Sequence, residues 1–131
     1  MKKVMVFGTF DILHKGHLYF LKEAKKKGYL IAVVARDKTV VKVKKQKPVN
    51  NEKKRAENLR KIKFVNKVVI GDLKNKFKAV DRLKPDMICL GYDQKNFIQG
   101  LIRKIKKRKL KIKIFRIKPF KPEIYKSSKL R

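Results

Sequence analysis

The sequence predicts an α/β fold in which a five-stranded parallel sheet carries helices on both faces. Three observations lead to it. Short apolar runs recur at residues 4–7, 30–35, 68–70, 87–90 and 112–117, and runs of that length flanked by polar residues read as strands buried on both faces. Segments with helical spacing of apolar residues fall between the runs. A chain that alternates strand with helix crosses over the sheet each time, which pairs its strands in parallel. Stop signals also sit where helices should end, with Gly28 after the first helical segment and Pro85 after the third.

The run at 4–7 ends at Gly8, and Leu18, Leu21 and Ala24 then recur on one face of a helix over 18–27. The run at 30–35 leads into the polar turn Arg36-Asp37-Lys38-Thr39-Val40. Ala56, Leu59 and Ile62 mark a helix over 52–62, and Val80 marks a shorter one over 77–83. Ile98, Leu101, Ile102 and Ile105 give the segment 97–107 an apolar stripe against a basic face. The last run, 112–117, is the fifth strand.

At 131 residues the chain is expected to form a single domain over 1–131 around one core. No apolar stretch approaches the length of a membrane span, and the first residues lead straight into a core strand, so a cytosolic protein is expected. The lone Cys89 lies in the run 87–90, where an inert buried thiol is expected. A formal net charge of +30 attracts polyanions of any kind. The basic residues are nevertheless mostly lysines spread along the chain, without interleaved aromatics, and those of 95–121 largely form the wet face of a helix. A specific nucleic-acid groove is therefore not expected.

The most informative segment is Gly8-Thr9-Phe10-Asp11-Ile12-Leu13-His14-Lys15-Gly16-His17, which turns from the first strand into the first helix. In a sheet of this kind ligands bind beyond the carboxyl ends of the strands, and this turn lies there. Gly8 permits a sharp departure from the strand, and Gly16 removes a side chain where a ligand would approach helix-start amides. His14 and His17, three residues apart, can share one side of the first helical turn and donate N–H groups to phosphate oxygens. The same residues also fit a plain glycine turn with two surface histidines.

The segment GTFDILHKGH resembles the signature of the cytidylyltransferase-like nucleotidyltransferases, which join a nucleoside triphosphate to a phosphate-bearing acceptor and release pyrophosphate. The resemblance implies a Rossmann-like nucleotidyltransferase fold. It also implies that His14, His17 and Arg55 act in catalysis. Gly8, Thr9, Phe10, Lys15, Gly16, Lys47, Gly91, Asp93, Phe120, Ser127 and Ser128 would join the two histidines in holding the nucleotide. Several of these have a second reading. Asp11 is either a ligand for a metal, Mg²⁺ or another divalent ion, or the cap of its own loop. Arg55 either grips phosphate with its planar fork or is a surface residue. Asp37 either bonds a ribose hydroxyl or caps its turn, and Asp93 either accepts from a nucleotide or closes an Asx-turn. Phe120 stacks on a base or packs in the core, and Ser127-Ser128 holds triphosphate or only caps a helix. Lys126 stands where that family often has a third Ser or Thr.

Within the family, ARDKTV, KPV ahead of the helix with Arg55, and LGYDQ resemble the archaeal FAD synthases. That likeness implies ATP and FMN as substrates and allows a homodimer. The glycerol-3-phosphate cytidylyltransferases share GTFD and the paired histidines and stand as the alternative. A nonenzymatic basic module that binds nucleic acid is the alternative of another class.

Overall fold

The computed structural model describes residues 1–75, 77–91, 94 and 98–119, and of Ile98 only the backbone. Its elements are β1 (Lys3–Gly8), α1 (Lys15–Lys25), β2 (Tyr29–Val34), α2 (Asp37–Lys44), α3 (Glu52–Arg60), β3 (Lys67–Ile70), α4 (Lys78–Leu83), β4 (Met87–Leu90), α5 (Ile98–Lys107) and β5 (Lys113–Arg116). The strands form one five-stranded sheet in the order β3-β2-β1-β4-β5, and every pairing is parallel. β1 lies in the middle, with Val6 level with Ala32 on one side and Cys89 on the other.

Strand alternation divides the core into two layers. Val4, Val6, Leu30, Ala32 and Cys89 face one side and pack with Leu21 and Ala24 of α1 and Ala56 and Leu59 of α3. Met5, Ile31, Val33, Ile88 and Leu90 face the other and pack with Val80 of α4 and Leu101 and Ile105 of α5. Both faces of the sheet are therefore covered, as the near-continuous apolar runs require. Burial pushes the Cys89 thiol up to about 11, so it is a protonated, inert core group. At Gly28 the chain passes so close to the start of β1 that a Cβ would lie 2.2 Å from the Lys2 carbonyl oxygen. That glycine thus serves sheet assembly as well as the end of α1.

Among the described residues, α2 is the one helix the sequence does not announce. Its segment carries Thr39, Val40, Val41 and Val43, β-branched residues that favour a strand or a turn, and only Val40 of the helix is buried. Tertiary contacts override that preference. The Glu52 carboxylate at the start of α3 accepts from the Asp37 amide at 2.9 Å and from Arg36 Nη1 at 2.7 Å. At the other end Lys45 adopts a left-handed conformation and closes the helix by donating to the Val41 carbonyl.

Candidate active site

The strand order reverses between β1 and β4, and an open α/β sheet leaves a crevice at such a point. Gln94 spans it. Its Oε1 accepts from the Gly91 amide and its Nε2 donates to the Phe7 carbonyl, both at 2.8 Å, which ties the carboxyl ends of the two strands together. A cleft of about 710 Å³ opens above this tie, a volume in the range of small-molecule sites. Gly8, Thr9, Phe10, Asp11, His14, Gly16 and His17 all line it, as does Gly91.

Each residue of the turn has a local physical reason. A Cβ on Gly8 would lie 2.8 Å from the Phe10 ring, so the glycine makes room for that ring. Phe10 itself is buried and holds a left-handed backbone, φ 52°, a costly conformation for a bulky residue. Its ring meets His17 edge-on at 5.9 Å between centroids. His14 is the N-cap of α1, its Nδ1 accepting from the Gly16 amide at 3.0 Å. His17, at the third helical position, accepts from the His14 amide through its own Nδ1 at 3.3 Å. This is a capping box built from two histidines.

The box has a chemical consequence. A nitrogen that accepts a backbone N–H carries no proton, so in the neutral rings the proton lies on Nε2 of both histidines. Two Nε2–H donors result, on rings stacked 3.9 Å apart at 31° that both line the cleft. Helix capping thereby selects the tautomer that can donate to phosphate oxygens. Gly16 also acquires a different reason from close ligand approach. A Cβ there would lie 2.8 Å from His14 Cε1 and 3.0 Å from its Nδ1, so the ring occupies the space the missing side chain leaves.

Asp11 takes its loop-capping role. Its carboxylate accepts from the Val49 amide at 2.7 Å and the Asn50 amide at 2.8 Å, while the Asn50 side chain donates to the Asp11 carbonyl at 2.9 Å. Burial raises its pKa, but the amides of Asn50 and Val49 and the charges of Arg55 and Lys44 outweigh that and hold it below the usual carboxylate value. Among the described residues no group of three His, Cys, Asp or Glu side chains could cage a metal ion. Among the described residues the cleft wall carries two separate carboxylates, Asp11 and Asp72.

Arg55 corrects the surface reading, and among the described residues it is not one of those that line the cleft. It is 0% exposed. Its Nε donates to the Asn50 carbonyl at 3.0 Å, Nη1 to the Thr9 carbonyl at 2.8 Å, and Nη2 to the Asp37 carboxylate at 2.5 Å. Asp37 is thereby the partner of this arginine. As far as the described residues form it, the cleft wall includes neither Lys15 nor Lys47, both exposed. Asp93, Phe120, Ser127 and Ser128 lie outside the described residues.

The wall contains groups that the motif did not single out: Arg36, Asp72, Gln94 and Lys118, with Lys44 from α2. The first four follow the carboxyl ends of β2, β3, β4 and β5 in turn, a placement a rule of position in the sequence can find. Lys44 is legible only once α2 is known. Arg36 is partly engaged, donating to the Gly71 carbonyl at 2.7 Å as well as to Glu52.

A parallel sheet with paired histidine donors at its switch point defines a nucleotidyltransferase. The chain belongs to the cytidylyltransferase-like family, whose description it matches over residues 5–131. It is 44% identical over 119 residues to the FAD synthase of Ferroglobus placidus, an alignment covering 90% of this chain and 77% of that protein. To the FAD synthase of Thermococcus sibiricus it is 41% identical over 131 residues, covering 98% of this chain and 88% of that one. Among solved structures, the lipopolysaccharide core biosynthesis protein from Thermoplasma volcanium superposes with a TM-score of 0.84 at 41% identity, covering 92% of this chain and 98% of that one. The pantoate-beta-alanine ligase from Francisella tularensis shares the fold alone, with a TM-score of 0.60 at 17% identity over 98% of this chain and 67% of that one.

Proposed function

We infer that this chain is an FAD synthase, which transfers AMP from ATP to the phosphate of FMN and releases pyrophosphate. Identity of 41% to 44% to FAD synthases across nine-tenths or more of the chain carries that assignment. The paired Nε2–H donors at the switch point supply the chemistry it needs.

In the reaction an FMN phosphate oxygen attacks the α-phosphorus of ATP, a bond forms there, and the bond from that phosphorus to the bridging oxygen of pyrophosphate breaks. A phosphate monoester is already anionic at neutral pH, so no general base is required. The protein's task is to place two polyanions in line and to stabilise charge that grows on the transferring group and the leaving group. His14 and His17 donate to those oxygens, and the amides at the start of α1 add their dipole. Arg36, Lys44 and Lys118 lower the cost of bringing the anions together. Lys47, Asp93, Phe120, Ser127 and Ser128 belong to the nucleotide site in this proposal on resemblance. The donor set fits Mg²⁺ as an ion carried mainly by substrate phosphates, with Asp11 or Asp72 as its protein carboxylate. When bound, such an ion neutralises phosphate charge.

A single domain spanning the chain, a homodimer and a cytosolic location complete the proposal. No helix of the described residues is long and apolar enough to cross a membrane. The test is an incubation with Mg²⁺ in which ATP and CTP compete while FMN and glycerol 3-phosphate are both present, with products read by mass. FAD and pyrophosphate are expected, with ATP preferred by about tenfold or more in kcat/KM, the loss of one well-placed base hydrogen bond being enough for that ratio. A dominant CDP-glycerol peak would move the chain to the glycerol-3-phosphate cytidylyltransferases. No product, together with steeply salt-dependent duplex binding, would leave a basic binding module.

A further inference from the structure

We propose that Arg55, paired with Asp37, is a positioning residue that holds the histidine turn from behind and does not itself bind phosphate. The proposal rests on reading that turn as the transfer site. The guanidinium of Arg55 sits where three segments of the chain meet. Three of its nitrogens reach three separate segments: Thr9 in the turn after β1, Asn50 ahead of α3, and Asp37 at the start of α2. With no exposed surface, the group has no face to offer a triphosphate.

Thr9 stands two residues before Asp11, whose carboxylate and carbonyl are tied in turn to residues 49 and 50. The segment 9–11 is thus fastened at both ends to the 49–55 stretch. Between those fastenings lies Phe10, in a left-handed conformation that persists only where its surroundings over-determine it. The Phe10 ring in turn braces His17. The physical path from Arg55 to the histidine pair runs through Thr9 and Phe10.

The residue type follows from that task. A planar fork with five donors can serve two carbonyls and a carboxylate lying in different directions, whereas a lysine ammonium offers one compact centre. Asp37 balances the charge that the fork brings into the interior. Among the described residues no buried side-chain polar atom lacks a partner, so the network is fully satisfied.

The test compares the wild type with Arg55→Lys and Asp37→Asn. Nitrogen-15 NMR of His14 and His17, recorded without substrates at a pH where the rings are neutral, reports which ring nitrogen bears the proton. Thermal midpoints, kcat and the KM values for ATP and FMN complete the comparison. The wild type should show the Nε2–H tautomer at both histidines. Arg55→Lys should mix the tautomers and lower kcat by about 10- to 100-fold, the scale of a displacement near 1 Å at a reacting centre, with both KM values within about threefold. Wild-type histidine signals with a raised KM for ATP would return Arg55 to the phosphates and overturn the proposal. So would wild-type signals and kcat with only a lowered midpoint, which would make the network purely structural. If Arg55→Lys does not fold, Asp37→Asn decides, because it leaves the arginine in place and weakens its anchor: wild-type spectrum and kcat there also overturn the proposal. A wild-type protein that makes no FAD would refute the functional reading instead, since the spectra need no substrate.

Discussion

His17→Ala is expected to lower kcat by about 10²- to 10³-fold, the usual loss on removing one preorganised donor from a developing anion. The fold should survive. His17 belongs to the first turn of α1, at the lip of the cleft, and its structural contributions include the bond its Nδ1 accepts from the His14 amide at 3.3 Å and its ring contacts with Phe10 and His14. Losing one such capping interaction costs about 1 kcal/mol, too little to unfold a domain whose core lies in two separate layers beneath the sheet's faces. The deficit should fall in turnover rather than in KM, because charge grows on the phosphate oxygens only as the bond to pyrophosphate breaks. Steady-state kinetics beside a thermal melt checks both halves. A variant within about threefold of the wild type would reduce the motif to a helix cap.

That test matters because the two histidines perform structural and chemical work through different atoms of the same rings. Nδ1 of each satisfies a helix-start amide, and the proton is thereby consigned to Nε2. In most helices a Ser, Thr, Asn or Asp accepts those amides, and a capping carboxylate has no proton to give a phosphate. An imidazole caps with one edge and donates with the other. Spacing of three residues serves both purposes, since it defines the capping box and also stacks the rings 3.9 Å apart.

Much of the fold was legible because its strands are short, apolar and buried on both faces, so the runs at 4–7, 30–35, 68–70, 87–90 and 112–117 each coincide with a strand to within a few residues. α2 was not, since its β-branched residues favour a strand or a turn and only one of them is buried, while the contact that holds its start comes from Glu52, fifteen residues beyond its first residue. The site divides in the same way. Residues of the turn were legible because they are contiguous, and the bonds that pair the two histidines are local. The burial of Arg55 was not legible, because it depends on the carbonyls of Thr9 and Asn50 and on Asp37, and no local pattern reveals which way a long side chain points. Gly16 lines the cleft, but the group nearest its missing Cβ is the His14 ring, which the motif alone does not reveal.

Gly16→Ala provides the sharpest check on that last point, with an expected fall in kcat of about 10²-fold at nearly unchanged stability. The new Cβ would stand 2.8 Å from His14 Cε1 and 3.0 Å from its Nδ1, so something must move. The imidazole turns about its own side-chain bonds more readily than α1 shifts, and once turned it no longer accepts from the Gly16 amide. Losing that cap costs about 1 kcal/mol, but alanine is favoured over glycine inside a helix by about the same amount, so the thermal midpoint should scarcely change. Turnover has no such offset, because the Nε2 donor leaves with the ring. A double-mutant cycle separates this from direct obstruction of a ligand. If His14 is what the alanine displaces, Gly16→Ala should cost almost nothing further in a His14→Ala background, the non-additivity expected of two changes that remove one interaction. If the glycine instead clears a path for a phosphate, the two losses should add and the KM for ATP should rise in both backgrounds, and the steric account of Gly16 given by the His14 ring would then be wrong.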